Sequence, residues 1–371
     1  PGDWYGLNPN ETTVARLLKS RNYATTCIGK WHLGDQPEFM PTRHGFDSYF
    51  GIPYSNDMRP SPKPGGRQTR PHPPLPLVRN EKLVREITDQ GFLTSAYTEE
   101  AVKFIRGNRN KPYFLYLPHS MVHAPLAAGE RFLNKTGKGL YADSVAEIDW
   151  SVGEILSAVE KSGQAENTLV IFLSDNGGTP RAVNTPLRGN KGSVWEGGMR
   201  VPALAWQPGT VAANRSTDHI ASNMDILPTF AALAGASLPA RKIDGHNLDP
   251  LLRNEPGAKS GYSAFFYYHT YNLRAVRAAD LKLHTSGELY NLKDDAGESR
   301  DVAAANANVV ADLKRRLDTM RADLGDGEAP GPGCRPVGKA KGPLRFWIPR
   351  PSSSGHEPHA PVHEVPGAPY S

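Results

Sequence analysis

Cysteine is nearly absent from this sequence: two residues in 371, Cys27 and Cys334. Set so far apart, they make neither a disulfide framework nor a zinc-binding motif, and they leave the compartment unread. Long apolar runs are missing too. No stretch approaches the roughly 18 residues of a membrane-spanning helix, so no membrane span is expected. Charge of one sign is scarce: 43 basic against 38 acidic residues leave a net +5. The excess is spread along the chain, which excludes the basic stripe of a nucleic-acid binder and is compatible with an anionic substrate. No charged-then-apolar leader opens the chain. It begins PGDWYGLNPNETT without Met, a start that fits a mature protein and a fragment alike. No internal repeat is present.

What is there is enough apolar residue, 38% beside 22% charge, for one large α/β domain and a smaller companion. Helix and strand patterns alternate. Asn10 is placed to cap a helix carrying Val14, Leu17 and Leu18. Tyr23–Ile28 reads as a strand, and a loop rich in Pro, Gly and Arg follows at about 59–76. Thr94–Arg106 reads as a helix and Tyr113–Leu117 as a short buried strand. Val145, Ile148, Val152, Ile155, Leu156 and Val159 mark a strong amphipathic helix. It feeds Thr168–Leu173, a β-branched and apolar run of the kind that fills the middle of a parallel sheet. PALAWQPG and DILPTFAALAG add a strand and a helix. The alternation predicts an α/β fold: a mostly parallel sheet sandwiched by helices. After about residue 260, short strands and a helix at about 306–324 predict a smaller C-terminal antiparallel sheet plus helix. From Asp326 onward 10 of the 46 residues are Pro, so this tail reads as largely irregular. His356, His359 and His363 cluster there, but a Pro-rich segment is a poor frame for a metal.

Polar residues gather where the strands should end, which is where ligands bind in open α/β sheets. TLVIFLSDNGGTP (168–180) breaks from strand into Asp175 and Asn176. Their hard oxygens suit Ca²⁺ or Mg²⁺; read alone, the stretch is more simply an ordinary turn. IGKWHLGD puts Lys30 and His32 two apart, able to point the same way if extended; alone, they are more simply a surface lysine and a half-buried histidine. LPHSMVHAPL offers His119 and His123, one of which can act as a general acid near neutral pH. PLRGNKGSVWEGGMRVPA sets Lys191 among glycines that let backbone approach a ligand, or that simply bend a loop. GIPYSNDM adds Ser55 and Asp57. Together, a hard-metal pair, two lysines and two histidines suit a doubly negative tetrahedral oxyanion ester, phosphate or sulfate.

NETTVARLLKSRNYATTCIGKWHLG, PTRHGFDSYFGIPYSNDM, PYFLYLPHSMVHAPL, FLSDNGG and GNKGSVWEGGMRVPALAW resemble the sulfatase family, its arylsulfatase A-like branch in particular, in the family's order and over roughly residues 7–300. The resemblance implies an alkaline phosphatase-like α/β fold with a smaller C-terminal sheet. It implies a catalytic domain over 1–260 lacking its N-terminal part, a small α+β subdomain over 261–325 and the tail over 326–371. It implies sulfuric ester hydrolysis of an aryl or carbohydrate sulfate, assisted by one Ca²⁺ (or Mg²⁺) held by Asp175 and Asn176. Lys30 and Lys191 would contact sulfate oxygens, and His123 would match the leaving-group acid. His32 would hold the nucleophile side, and Ser55 would match a substrate-pocket position. It also implies a formylglycine-generating or equivalent maturation enzyme as a partner of the full-length parent, and a secreted, periplasmic or lysosomal setting.

One departure bears on activity. The family's nucleophile is a formylglycine made in a C-x-P-x-R motif, and that motif and an Asp-Asp metal pair normally lie upstream of the segment where this chain begins. Neither is in the sequence; Cys334 opens CRPVG, with Gly338 where Arg is required. The expectation is a fragment with half a metal site, poor solubility from an unpaired sheet edge and no turnover alone. Two alternatives are a phosphoester hydrolase of the same superfamily, disfavoured by Asn rather than His after Asp175, and a non-catalytic binder of sulfated glycans.

Overall fold

The structure, a computed structural model, describes residues 1–60, 72–345 and 347. Most of the loop at 59–76, and His356, His359 and His363, lie outside the described residues. A five-stranded sheet organises the first half. Its strands are β1 (Ala24–Lys30), β2 (Ser48–Ile52), β3 (Leu75–Arg79), β4 (Lys82–Ile87) and β5 (Tyr113–Tyr116), in the order β4-β3-β2-β1-β5. β1 pairs parallel with β2 and with β5, whereas β3 and β4 form an antiparallel hairpin against β2. The α/β class stands, with the sheet mixed rather than mostly parallel. The hairpin sits at the edge, where an antiparallel pair needs no crossover helix.

Helices cover both faces. α1 (Val14–Lys19) precedes β1, α2 (Leu93–Gly107) precedes β5, and α3 (Leu140–Lys161) follows it. α2 buries Tyr97, Ala101 and Ile105 from one stripe, four residues apart. Tyr113 meets Phe104 of α2 edge-on at 5.8 Å, and the next residue, Phe114, meets Phe230 at 5.9 Å. Successive strand residues point to opposite faces. α2 and α4 (Ile226–Ala234), which carries Phe230, therefore lie on opposite sides of the sheet. The main core gathers Cys27, Ile28, Ile52, Leu75, Val78, Leu93, Tyr97 and Ile105. Thr13, not Asn10, caps α1: its side chain accepts from the Arg16 amide. Asn10 is instead used in a turn in which its amide donates to the Asn8 side chain.

The run 168–173 becomes β6 (Val170–Leu173), and it does not join the parallel sheet. It pairs antiparallel with β7 (Ala203–Trp206), and its four residues are all half-buried. Apolar composition says that a strand can be covered on both faces; it says nothing about its partner's direction.

A second sheet of four antiparallel strands, β8 (Phe265–His269), β9 (Asn272–Ala278), β10 (Leu281–His284) and β11 (Leu289–Asn291), packs on α5 (Ala307–Leu324). Leu273, Val276, Leu283, Leu289, Leu313 and Leu317 form its own core. The first part of the Pro-rich tail docks back on the main domain. Gly338–Lys339 pairs with Tyr5–Gly6, the Arg345 amide donates to Gln36, and Trp347 is buried with its indole N–H on the Asp35 carbonyl. Among the described residues no helix is long and apolar enough to cross a membrane.

Candidate active site

The site begins with two glycines in register. Gly29 of β1 lies opposite Gly51 of β2. A Cβ on Gly51 would fall 1.8 Å from the Gly29 carbonyl oxygen, and one on Gly29, at φ +129°, 2.0 Å from the Pro118 carbonyl oxygen. Only residues without a side chain let the ends of β1, β2 and β5 converge so closely. The convergence is then stitched: the Lys30 amide donates to Pro118 O at 2.7 Å, Trp31 N to Ile52 O at 3.0 Å and His32 N to Pro53 O at 3.1 Å. Lys30 thus ends β1 as an extended residue, but His32 turns into the left-handed region at φ 57°. The extended spacing expected for the pair ends there. Strained backbone of this kind collects at functional sites.

Lys30, His32, Asp57, His123, Asp175 and Lys191 come together, each within electrostatic reach of another. Lys30 is half-buried, and desolvation lowers its pKa; Lys191 pushes the same way, while Asp175 and Asp57 oppose. His32 reaches solvent, yet desolvation lowers its pKa, helped by Lys30 and His123 and opposed by Asp57. Both groups are therefore drawn toward neutrality by their surroundings and would gain from an arriving anion. The members come from separate elements rather than from the ends of one sheet. Asp175 and Asn176 follow β6, and Lys191 sits on a glycine-lined loop, its amide donating to Gly178 O at 3.0 Å.

The two histidines of the β5 loop part company. His123 is held by its Nδ1, 2.7 Å from the Ala124 carbonyl oxygen. A carbonyl only accepts, so Nδ1 carries the proton and Nε2 is left free to meet a ligand. His119 is half-buried, with Ser151 Oγ 3.3 Å from its Nε2 and the Tyr97 ring 6.3 Å away; its Nδ1 is sealed from solvent with no hydrogen-bond partner among the described residues, and desolvation pushes its pKa down to about 4. It is neutral at neutral pH.

Sequence reasoning missed the clamp under this loop. Buried Asn56 donates from Nδ2 to Gln90 Oε1 at 3.0 Å and lies 3.3 and 3.4 Å from the carbonyls of His123 and Pro125, while Gln90 Nε2 returns a bond to Asn56 O at 2.9 Å. The clamp ties the Ser55–Asp57 loop to the His123 loop. Ser55, its neighbour, is buried, with its carbonyl accepting from the Met58 amide. No local signal pairs an Asn with a Gln 34 residues on.

Among the described residues the Asp175 carboxylate and the Asn176 amide make no side-chain hydrogen bond or ion pair, which leaves their hard oxygens free. The donor chemistry fits Ca²⁺ or Mg²⁺. Two donors are less than a full shell, however, and no group of three His, Cys, Asp or Glu gathers among the described residues.

The family model Sulfatase matches residues 5–236, and the model N-sulphoglucosamine sulphohydrolase, C-terminal, matches 190–323. Human arylsulfatase A is 34% identical over 87% of this chain and 74% of its own length. Mouse N-acetylgalactosamine-6-sulfatase is 36% identical over 75% of this chain, which spans only 55% of that protein. Among solved structures, Ps i-CgsB superposes with a TM-score of 0.75 at 31% identity, covering 86% of this chain and 76% of that one. PsFucS1 sulfatase from Pseudoalteromonas sp. gives 0.76 at 25% identity, over 86% and 75%. With the family model covering most of the chain and arylsulfatase A matched over three-quarters of its length, this chain belongs to the sulfatase family of sulfuric ester hydrolases.

Proposed function

We propose that the site binds the sulfate group of an aryl or carbohydrate sulfate ester and assists departure of its alcohol. The observation that carries this is the convergence of two lysines without an ion pair among the described residues, two histidines and the Asp-Asn pair. Lys30 and Lys191 would neutralise the sulfate oxygens, Lys30 gaining most because its charge is partly desolvated already. As an imidazolium, with Nδ1–H on a backbone carbonyl, His123 would present its second proton, on Nε2, to the bridging oxygen and release it to the leaving alkoxide, ending as the neutral ring. His32 would stand on the nucleophile side, and buried Ser55 would line the pocket beyond. Asp175 and Asn176 would hold one Ca²⁺ or Mg²⁺, which supplies charge to a sulfate oxygen when bound.

The sequence contains no C-x-P-x-R segment, so a formylglycine and its maturation enzyme belong to the proposal only for a chain that carries one. The 371 residues would bind sulfate esters without turning them over. Substrate class is supported by the relatives: one is named for N-acetylgalactosamine-6-sulfate chemistry, and Ps i-CgsB is described in complex with k-i-k-neocarrahexaose.

The test is calorimetric titration of the full chain with 4-nitrophenyl sulfate and with 4-nitrophenyl phosphate, with Ca²⁺ and with chelator. Expected are sulfate binding strengthened by Ca²⁺, a loss of about tenfold or more in Lys191→Ala, and no release of nitrophenol. Preferred phosphate binding would move the chain to the phosphoester readers of the superfamily. Metal-independent binding of a sulfated oligosaccharide, unaffected by Lys191→Ala, would make it a binder that does not use this site.

A further inference from the structure

Behind the Lys191 loop lies a buried charge cluster that the reaction does not use. Lys282 of β10 is 0% exposed, and its Nζ touches Val194 O at 2.7 Å, Glu196 Oε1 at 2.9 Å and Glu298 Oε1 at 2.9 Å. It also stands 4.2 Å from the Tyr267 ring centre. Tyr267 donates its hydroxyl to Glu196 Oε1 at 3.1 Å, Arg277 lies 3.5 Å from Glu196 Oε2, and His284 Nε2 lies 3.1 Å from Glu298 Oε1. Burying such a network costs desolvation that hydrophobic packing would not.

Its ties lead to one place. The Glu196 amide donates to Glu298 Oε2 at 2.7 Å, and Arg188 donates from Nη1 to Glu298 O at 3.0 Å. The Arg188 guanidinium covers the Trp195 ring at 3.7 Å, and the Trp195 ring lies 4.3 Å from that of His284, tilted by 32°. The Gly197 amide closes the loop on Arg188 O at 2.7 Å. Both ends of the segment 188–196 are therefore fastened to Glu298, and Lys191 rides between them. The same segment fastens the Asp175 turn: Gly177 N donates to Gly198 O at 3.0 Å and Lys191 N to Gly178 O at 3.0 Å.

We propose that Glu196, Lys282 and Glu298 are positioning residues, a clamp from the C-terminal sheet that sets Lys191 against the anion. The proposal rests on the sulfate-binding reading of the site. It gives the second sheet a role in the site although it contributes no side chain to it. A clamp of this kind acts only through the residue it holds. Its loss and the loss of Lys191 are then the same loss, and they do not add.

The experiment is a double-mutant cycle on the full chain, read as affinity for 4-nitrophenyl sulfate. Lys191→Ala should weaken binding about tenfold or more and Glu298→Gln about three- to tenfold, with the double variant no weaker than Lys191→Ala. Amide exchange in 188–198 should also quicken in Glu298→Gln beyond the rest of the chain. If Glu298→Gln does not fold, Arg188→Gln takes its place in the cycle, with the same expectation. Additive losses, or a folded Glu298→Gln with unchanged affinity and only lowered thermal stability, would overturn the clamp and leave the sulfate site standing. No binding by the wild type, or none lost in Lys191→Ala, would overturn the site and the clamp with it.

Discussion

Lys30 and Lys282 are both drawn out of water, the first in the site and the second beneath it. Lys282 has two carboxylates and a carbonyl within 2.9 Å and no exposed surface. Lys30 has no ion pair among the described residues, and its surroundings disfavour its charge. A cation whose partners are all built in has nothing left to offer a ligand, and its worth is structural. A cation held among glycines and strand ends without a partner costs the fold something and is completed by an anion from outside. The histidines repeat the contrast. His119 has a ring nitrogen sealed from solvent, while His123 keeps one nitrogen free. Residue type alone does not separate the members of either pair.

The contrast breaks hardest at Lys282. Lys282→Met leaves Glu196 and Glu298 buried against each other, which should cost about 3–5 kcal/mol. Urea unfolding of the variant measures it, and a cost below about 1 kcal/mol would show that the cluster is not the sealed structural network described. His119 comes next. Its pKa is low in the fold, about 4 against the ordinary 6.5, so the unfolded chain binds the extra proton between these values. Stability is then complete above about pH 6.5 and falls as pH drops toward 4, by roughly 3 kcal/mol in all. Subtracting the same titration for His119→Gln should remove that slope, and an unchanged slope would place the proton elsewhere. The smallest effect belongs to the site. Lys30→Met should leave unfolding stability within about 0.5 kcal/mol of wild type or raise it, while weakening sulfate binding by about tenfold. A large loss of stability would make Lys30 a structural lysine like Lys282.

Much of the local structure was legible. The helices α2 and α3 and the strand-and-turn run of β8 to β11 are short-range patterns, and the structure contains them, although the first half of α3 buries Asp143, Ser144, Glu147 and Ser151 and leaves Val145 of the expected apolar stripe exposed. The site's candidates were legible as residue types at strand ends. Several points were not. Thr13 displaced Asn10 as the cap because a turn used Asn10 first. His32 left the extended path of Lys30, and β6 took an antiparallel partner. Glu196 lay inside a segment that carried the family resemblance, but its fastening to Lys282 and Glu298 joins residues 86 and 102 positions apart.

The sequence by itself determined the α/β class, the second sheet and the chemistry that this chain has on offer: hard oxygens, lysines and titratable imidazoles, with a hydrophobic pattern that repeats within a few residues. The tertiary structure alone decided which lysine is sealed and which is left for a ligand, which histidine is desolvated and which keeps a free nitrogen, and what fastens the Lys191 loop. Burial and pairing are set by neighbours brought from far along the chain, and they decide whether a charge is already satisfied or still waiting for its partner.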